Sequence, residues 1–169
     1  MPATLPDGSS CFWSSLRLPN RQQKMPAQKS RRYPKRPLVG VGALIVRGDR
    51  IVLVERGREP QKGKWSLPGG ALETGETLSE GLRREVREET GLDVRLVQLV
   101  EVFERIVRDG RGHVEYHYVL LDYLCRVRAG RLRASDDSAD ARWVPRDEVH
   151  RYPLTEGTLE VIDKAFRLA

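Results

Sequence analysis

Two glycine-rich breaks isolate one helix and limit what the chain around it can become. Pro68-Gly69-Gly70 stops any preceding extended run, and Gly91 stands where a left-handed helix terminator belongs. Between them, Thr77 and Glu80 form a capping box, in which each side chain bonds the other residue's backbone N–H. Leu78, Leu82 and Val86 recur every four residues. The spacing predicts a helix over Thr77–Thr90 with a single apolar edge, and such a helix must lie against a sheet or another helix.

The flanking segments supply a sheet. Leu38–Val46 and Ile51–Glu55 are aliphatic and β-branched runs joined by Arg47-Gly48-Asp49-Arg50, which predicts a hairpin. Gly40 and Gly42 inside the first strand mark either packing positions or a close approach by another backbone or a ligand. Trp65–Leu67 reads as a short strand that Pro68 ends, and Val94–Val107 with His113–Cys125 as a second hairpin. Ala141–Val144 is a further short strand. Thr158–Leu168 closes the chain as a helix with Leu159, Ile162 and Phe166 along one side. The expected class is α+β, with a mixed sheet covered on both faces.

A chain of 169 residues accommodates one domain with a real core. The formal charge of +6 invites a nucleic-acid reading, but residues 1–37 hold eight basic groups and one acid, Asp7, and leave the rest of the chain at −1. Basicity is therefore a property of the tail. Its prolines at 2, 6, 19, 26, 34 and 37 argue against an amphipathic helix, and residues 1–37 are expected to be disordered ahead of a domain over 38–169. Met25 is an alternative natural start, which the mass of the natural protein would decide. Cys11 and Cys125 lie far apart and form neither a disulfide framework nor a zinc pattern. No run is long and apolar enough for a membrane span, and a cytosolic protein is expected.

The helix also carries chemistry. At about 100° per residue, Glu85, Glu88 and Glu89 fall within an arc of roughly 100°, so three carboxylates converge. Like charges at these spacings cost an isolated helix about 0.2–0.5 kcal/mol per pair, a penalty that a divalent cation would reverse. Oxygen-only ligands point to Mg²⁺ or Mn²⁺. Glu73 and Glu76 lie in the loop ahead, with Gly69, Gly70 and Gly75 letting the backbone curl around a bound group. Arg84 is placed to hold a carboxylate by a forked hydrogen bond. Taken singly, each glutamate is ordinary surface decoration; their joint spacing is not.

That spacing runs Gly70, five residues, Glu76, seven residues, Arg84-Glu85-Val86, one residue, Glu88-Glu89, one residue, Gly91-Leu92. It resembles the signature of the Nudix hydrolases at every fixed position; Gly81 stands where members commonly carry alanine. The resemblance implies an α/β/α sandwich with a central mixed β-sheet and cleavage of a diphosphate linked to another moiety. It implies Glu85, Glu88 and Glu89 as metal ligands helped by the Gly70 carbonyl and Glu73, Arg84 as the residue that orients the cluster, and Glu76 as its partner. The base that deprotonates the attacking water is left open between Glu85, Glu89 and an acid on a later loop, Glu115, Asp136 or Asp137.

Upstream of the helix, Arg56, Arg58 and Lys64 are candidate phosphate contacts. Trp65 is read as core rather than a base-stacking platform, and His113 and His117 as structural. This run, the Arg111-Gly112-His113 turn and the stretch before Trp143 resemble small ADP-ribose pyrophosphatases, so ADP-ribose, cleaved to AMP and ribose 5-phosphate, is the first expected substrate. Nucleoside triphosphates, oxidised ones included, are the alternative. A homodimer is compatible with the resemblance. A regulatory module would have lost a carboxylate or gained a DNA-binding helix pair, and neither is present. An RNA-directed hydrolase would call on the tail, which has few aromatics for stacking, so nucleic acid is ranked low as a partner.

Overall fold

The computed structural model describes residues 31–58, 61–134 and 138–169. Residues 1–30 and the base candidates Asp136 and Asp137 lie outside them.

The chain opens on the expected hairpin, β1 (Leu38–Arg47) and β2 (Arg50–Arg56), with Val46 opposite Ile51 and the turn at Gly48 in the left-handed region at φ 60°. β3 (Trp65–Ser66) pairs with β2. The backbone after Pro68, read from sequence as the end of a strand, instead forms β4 (Gly69–Ala71) antiparallel to β1. Glycines have poor strand propensity, so only pairing with β1 makes these residues extended. Gly69 has φ 150°, and a side chain there would overlap the Val41 carbonyl.

Helix α1 (Leu78–Thr90) has Thr77 as its cap with both capping-box bonds present, and Gly91 closes it at φ 68°. β5 (Leu92–Arg108) and β6 (Val114–Gly130) form the long second hairpin. β6 runs parallel to β1 from Leu38 opposite Tyr118 to Ile45 opposite Cys125, which makes the sheet mixed. β7 (Ser138–Pro145) pairs with β2; a 3-10 turn over Arg146–Arg151, which the sequence reading left unassigned, leads to α2 (Thr158–Leu168).

Alternation along β1 divides the core in two. Val41, Ala43 and Ile45 face α1, where they pack with Leu82 and Val86; Leu44 and Val46 face α2, where they pack with Val161, Ile162 and Ala165. Each fully buried aliphatic side chain contributes about 1.5–3 kcal/mol, and helices cover both faces as expected. The apolar side of α2 differs from the sequence reading. Leu159 is exposed, whereas Val161, Ile162 and Ala165 are buried with Phe166 against them, because the sheet takes the face centred one residue further round. Trp65 is core, edge-on to Tyr152 at 4.9 Å. None of the described helices is long and apolar enough to cross a membrane.

Candidate active site

Helix α1 presents its acidic edge to the glycine strand β4. Arg84 organises the contact. Its Nε and Nη2 grip Glu76 at 2.6 and 3.0 Å, Nη2 also donates to the Ala71 carbonyl at 3.2 Å, and Nη1 donates to Glu85 at 2.9 Å. Glu76 Oε2 further accepts from the Glu73 backbone N–H at 3.0 Å. The forked Arg84 bond, with that N–H, holds the Glu76 carboxyl down at about 2. Arg84 is in turn held more firmly protonated, chiefly by Glu76.

The three helix carboxylates take three different positions. Glu85 lies against Gly70, at which a Cβ would stand 2.5 Å from Glu85 Oε1; burial pushes its pKa up against the opposing pull of Arg84. Glu89 accepts a hydrogen bond from the Gly69 N–H at 2.9 Å. Glu88 is the exposed one, 3.5 Å from Arg84 Nη1. Convergence on a single point, expected from the helical spacing, is therefore not what the side chains adopt: among the described residues no three His, Cys, Asp or Glu side chains are close enough to enclose an ion. Arg84, reaching both Glu85 and Glu88, relieves part of the repulsion that the sequence reading assigned wholly to a cation.

The donor chemistry still fits a hard divalent ion. Apart from the Arg84 guanidinium, the polar groups at this edge are carboxylate and carbonyl oxygens, with Gly70 opposite Val41 in the strand pairing and Glu73 on the loop beside it. Magnesium commonly takes one or two carboxylates, several waters and substrate phosphate rather than a complete protein cage, so separated carboxylates are compatible with it.

On the α2 side of the sheet lies an open cleft of about 720 Å³, within the range for small-molecule sites. Gly40 and Gly42 form part of its lining, Phe103 and Tyr118 stand in the wall, and it reaches Gly69 and Gly70. The two β1 glycines are explained by close approach. A Cβ at Gly40 would stand 2.7 Å from Leu120 Cδ2, and one at Gly42 would overlap the Asp122 carboxylate. Of the three cations proposed as phosphate contacts, Arg56 lines this cleft and Arg58 and Lys64 do not. The loop between them is closed by Arg56 N–H to Lys64 O at 2.9 Å.

Asp122 was missed. It is 9% exposed, borders the cleft, and makes no hydrogen bond or ion pair among the described residues. Burial alone lifts its pKa to about 6. The signal was legible as one acid inside the apolar run Leu120-Leu121-Asp122-Tyr123-Leu124. Glu115, a base candidate, is occupied elsewhere, paired with Arg32 at 2.7 Å. His113 pairs with Asp109 and His117 with Glu104, both on the second hairpin.

A Gly-Glu helix set against a glycine strand, with a nucleotide-sized cleft on the other side, can be compared with known proteins, and the NUDIX domain model matches residues 36–165. The chain belongs to the NUDIX family. It is 40% identical over 107 residues to an ADP-ribose pyrophosphatase of Methanocaldococcus jannaschii, covering 63% of this chain and 61% of that relative's length. The crystal structure of a MutT NUDIX hydrolase from Burkholderia pseudomallei aligns with TM-score 0.68 and 32% identity over 77% of this chain and 98% of that one. The NUDIX domain of Shewanella oneidensis NrtR, solved with ADP ribose, aligns with TM-score 0.66 and 26% identity, covering 80% and 91%. The α/β/α sandwich inferred from the signature is thus the family fold, present here.

Proposed function

We propose that this NUDIX chain hydrolyses the diphosphate bond of a nucleoside diphosphate derivative, with ADP-ribose as first substrate and Mg²⁺ or Mn²⁺ as cofactor. One observation carries the reading: Gly70 touches Glu85 on one side and lines the cleft on the other. A nucleotide held in the cleft therefore has its diphosphate beside the carboxylates. The 40% identical pyrophosphatase and the ADP-ribose-bound domain of the same fold support the choice of substrate.

Glu85, Glu88 and Glu89, with the Gly70 carbonyl and Glu73, are the residues that would hold the ion. When bound, it supplies charge neutralisation at non-bridging oxygens and acidifies water. Arg84 fixes the Glu85 carboxylate, and Glu76 fixes Arg84, so the acidic edge is set before substrate arrives. Glu85 or Glu89 accepts the proton of the attacking water. Arg56, at the cleft wall, meets phosphate oxygens, with Arg58 and Lys64 adding positive charge to the same loop.

Purified protein is incubated with ADP-ribose and a panel of nucleoside triphosphates, with and without Mg²⁺ or Mn²⁺, and products are separated by chromatography. Metal-dependent release of AMP and ribose 5-phosphate is the expected result. A nucleoside monophosphate plus inorganic pyrophosphate, with ADP-ribose untouched, would replace the substrate assignment by the triphosphate one. No metal-dependent turnover of any member would overturn the reading.

A further inference from the structure

The segment ahead of β1 is fastened to the domain by a set of contacts that the sheet does not require. The Tyr33 N–H donates to the Glu115 carbonyl at 2.8 Å, the Tyr33 hydroxyl donates to Asp109 Oδ2 at 3.1 Å, and Arg32 Nε donates to Glu115 Oε1 at 2.7 Å. Asp109 is itself fixed, accepting from the Arg111 and His113 N–H groups at 2.9 Å each. Tyr33 has φ 53°, a conformation unfavourable for an aromatic residue, so these bonds hold the backbone against a local cost. The clasp joins this segment to the tip of the β5–β6 hairpin. The NUDIX match begins only at residue 36, so Arg32 and Tyr33 precede the matched region, whereas their partners Asp109 and Glu115 lie within it.

The clasp places Arg31 at the cleft. Arg31 lines it together with Arg56, Arg105 and Lys164. Arg105 pairs with Glu156 at 3.3 Å and Lys164 pairs with Glu101, whereas Arg31 has no hydrogen bond or ion pair among the described residues. The same cleft is lined by Gly70, against which Glu85 lies, and by Tyr118 in its wall. A diphosphate running from the carboxylates to a nucleoside in the cleft passes into the space that Arg31 also lines.

We propose that Arg31 is a phosphate-binding residue of the active site, positioned by the Arg32–Tyr33 clasp on the hairpin tip. The inference rests on the function proposed above. The guanidinium supplies a charge-assisted hydrogen bond to a non-bridging phosphate oxygen, and the clasp keeps it at the cleft before substrate binds. Tyr33, Arg32 and their partners are positioning residues, acting only through Arg31.

Steady-state kinetics on the full chain with ADP-ribose and Mg²⁺ test this in R31A, R31K, Y33A and the double variant R31A/Y33A. Arg31→Ala should raise KM about tenfold and change kcat less than threefold. R31K should recover part of that loss, as a retained charge requires. Tyr33→Ala should raise KM to a similar extent, and the double variant should be no worse than R31A alone, because both substitutions remove one contact. Thermal unfolding of each variant separates loss of the clasp from loss of the fold. A KM for R31A within twofold of wild type overturns the proposal, as does an effect of Y33A that persists undiminished in the R31A background. Wild-type hydrolysis tests the functional reading separately. If ADP-ribose is not turned over, the same ratios are taken from calorimetric Kd values for ADP with Mg²⁺; equal Kd values for wild type and R31A would reject the site.

Discussion

The Glu85 carboxylate rests against the α-carbon of Gly70, in space that any side chain at position 70 would fill. Helix α1 and strand β4 therefore fit together only with glycine at that point. Gly70→Ala should displace Glu85 and lower kcat at least 100-fold, while the far-ultraviolet spectrum and the unfolding midpoint stay near wild type. The obstructed group is a side-chain terminus at the edge of the fold rather than the core. Activity within tenfold of wild type would show that Glu85 can work from a different position.

The Arg84–Glu76 pair gives a test in pH. The Glu76 carboxyl is held at about 2, against a usual 4.5, first by Arg84 and then by the Glu73 N–H. Its folded-state pKa is lowered, so its contribution to stability is present above pH 4.5 and is lost as pH falls towards 2. The pair is partly exposed, which limits that contribution to about 1–2 kcal/mol. Urea unfolding of wild type and Glu76→Gln should differ at pH 6 and converge only as pH falls through about 2. Parallel curves across that window would mean that the pair adds nothing to stability. At pH 7, E76Q should also lower kcat, since Arg84 loses the fork that aims it at Glu85.

What the sequence made legible follows the range of each interaction. Helix α1 was readable to its caps because Thr77, Glu80 and Gly91 act on their own neighbours. Both hairpins were readable because their turns are local. Strand β4 was not, since Gly69 and Gly70 become extended only by pairing with β1 residues nearly thirty positions away. The placement of Glu85, Glu88 and Glu89 was only half legible. Helical spacing put them on one side, but Gly69, Gly70 and Arg84 decide where each carboxylate ends. Arg31 and Asp122 were missed because their relation to the cleft exists only once β6 lies beside β1 and the hairpin tip meets the segment before β1.

Gly81 departs from the alanine common in the signature, and its surroundings explain what a methyl group would do. An added Cβ would lie 2.7 Å from Leu72 Cδ1 and 3.0 Å from Glu76 Oε2. The first is the end of a flexible side chain and can move, whereas the second is fixed by Arg84. Within the helix, alanine gains about 1 kcal/mol over glycine. Gly81→Ala should therefore raise the unfolding midpoint by about 2–4 °C and lower kcat two- to fivefold, through a small shift of the Glu76–Arg84 fork. A fall in midpoint measured by calorimetry would show that Leu72 cannot give way.

Asp122 combines a cost to the fold with a position in the cleft. Burial raises its pKa to about 6 from 3.8, and no neighbouring charge offsets the effect. The folded state thus binds the proton more tightly than the unfolded chain, and stability falls as pH rises from about 4 through 6. Two pKa units correspond to about 3 kcal/mol, an upper bound for the penalty at neutral pH. Asp122→Asn removes the charge and keeps the shape, so it should raise the urea midpoint at pH 8 and leave it unchanged at pH 4. On the function proposed above, a carboxylate that destabilises its own fold and borders the cleft would receive a donor from the substrate, such as a ribose hydroxyl or a base amino group. The same variant should raise KM for the preferred nucleotide about tenfold at pH 8. Full activity together with unaltered stability at pH 8 would show that the Asp122 carboxylate is neither strained by burial nor used in binding.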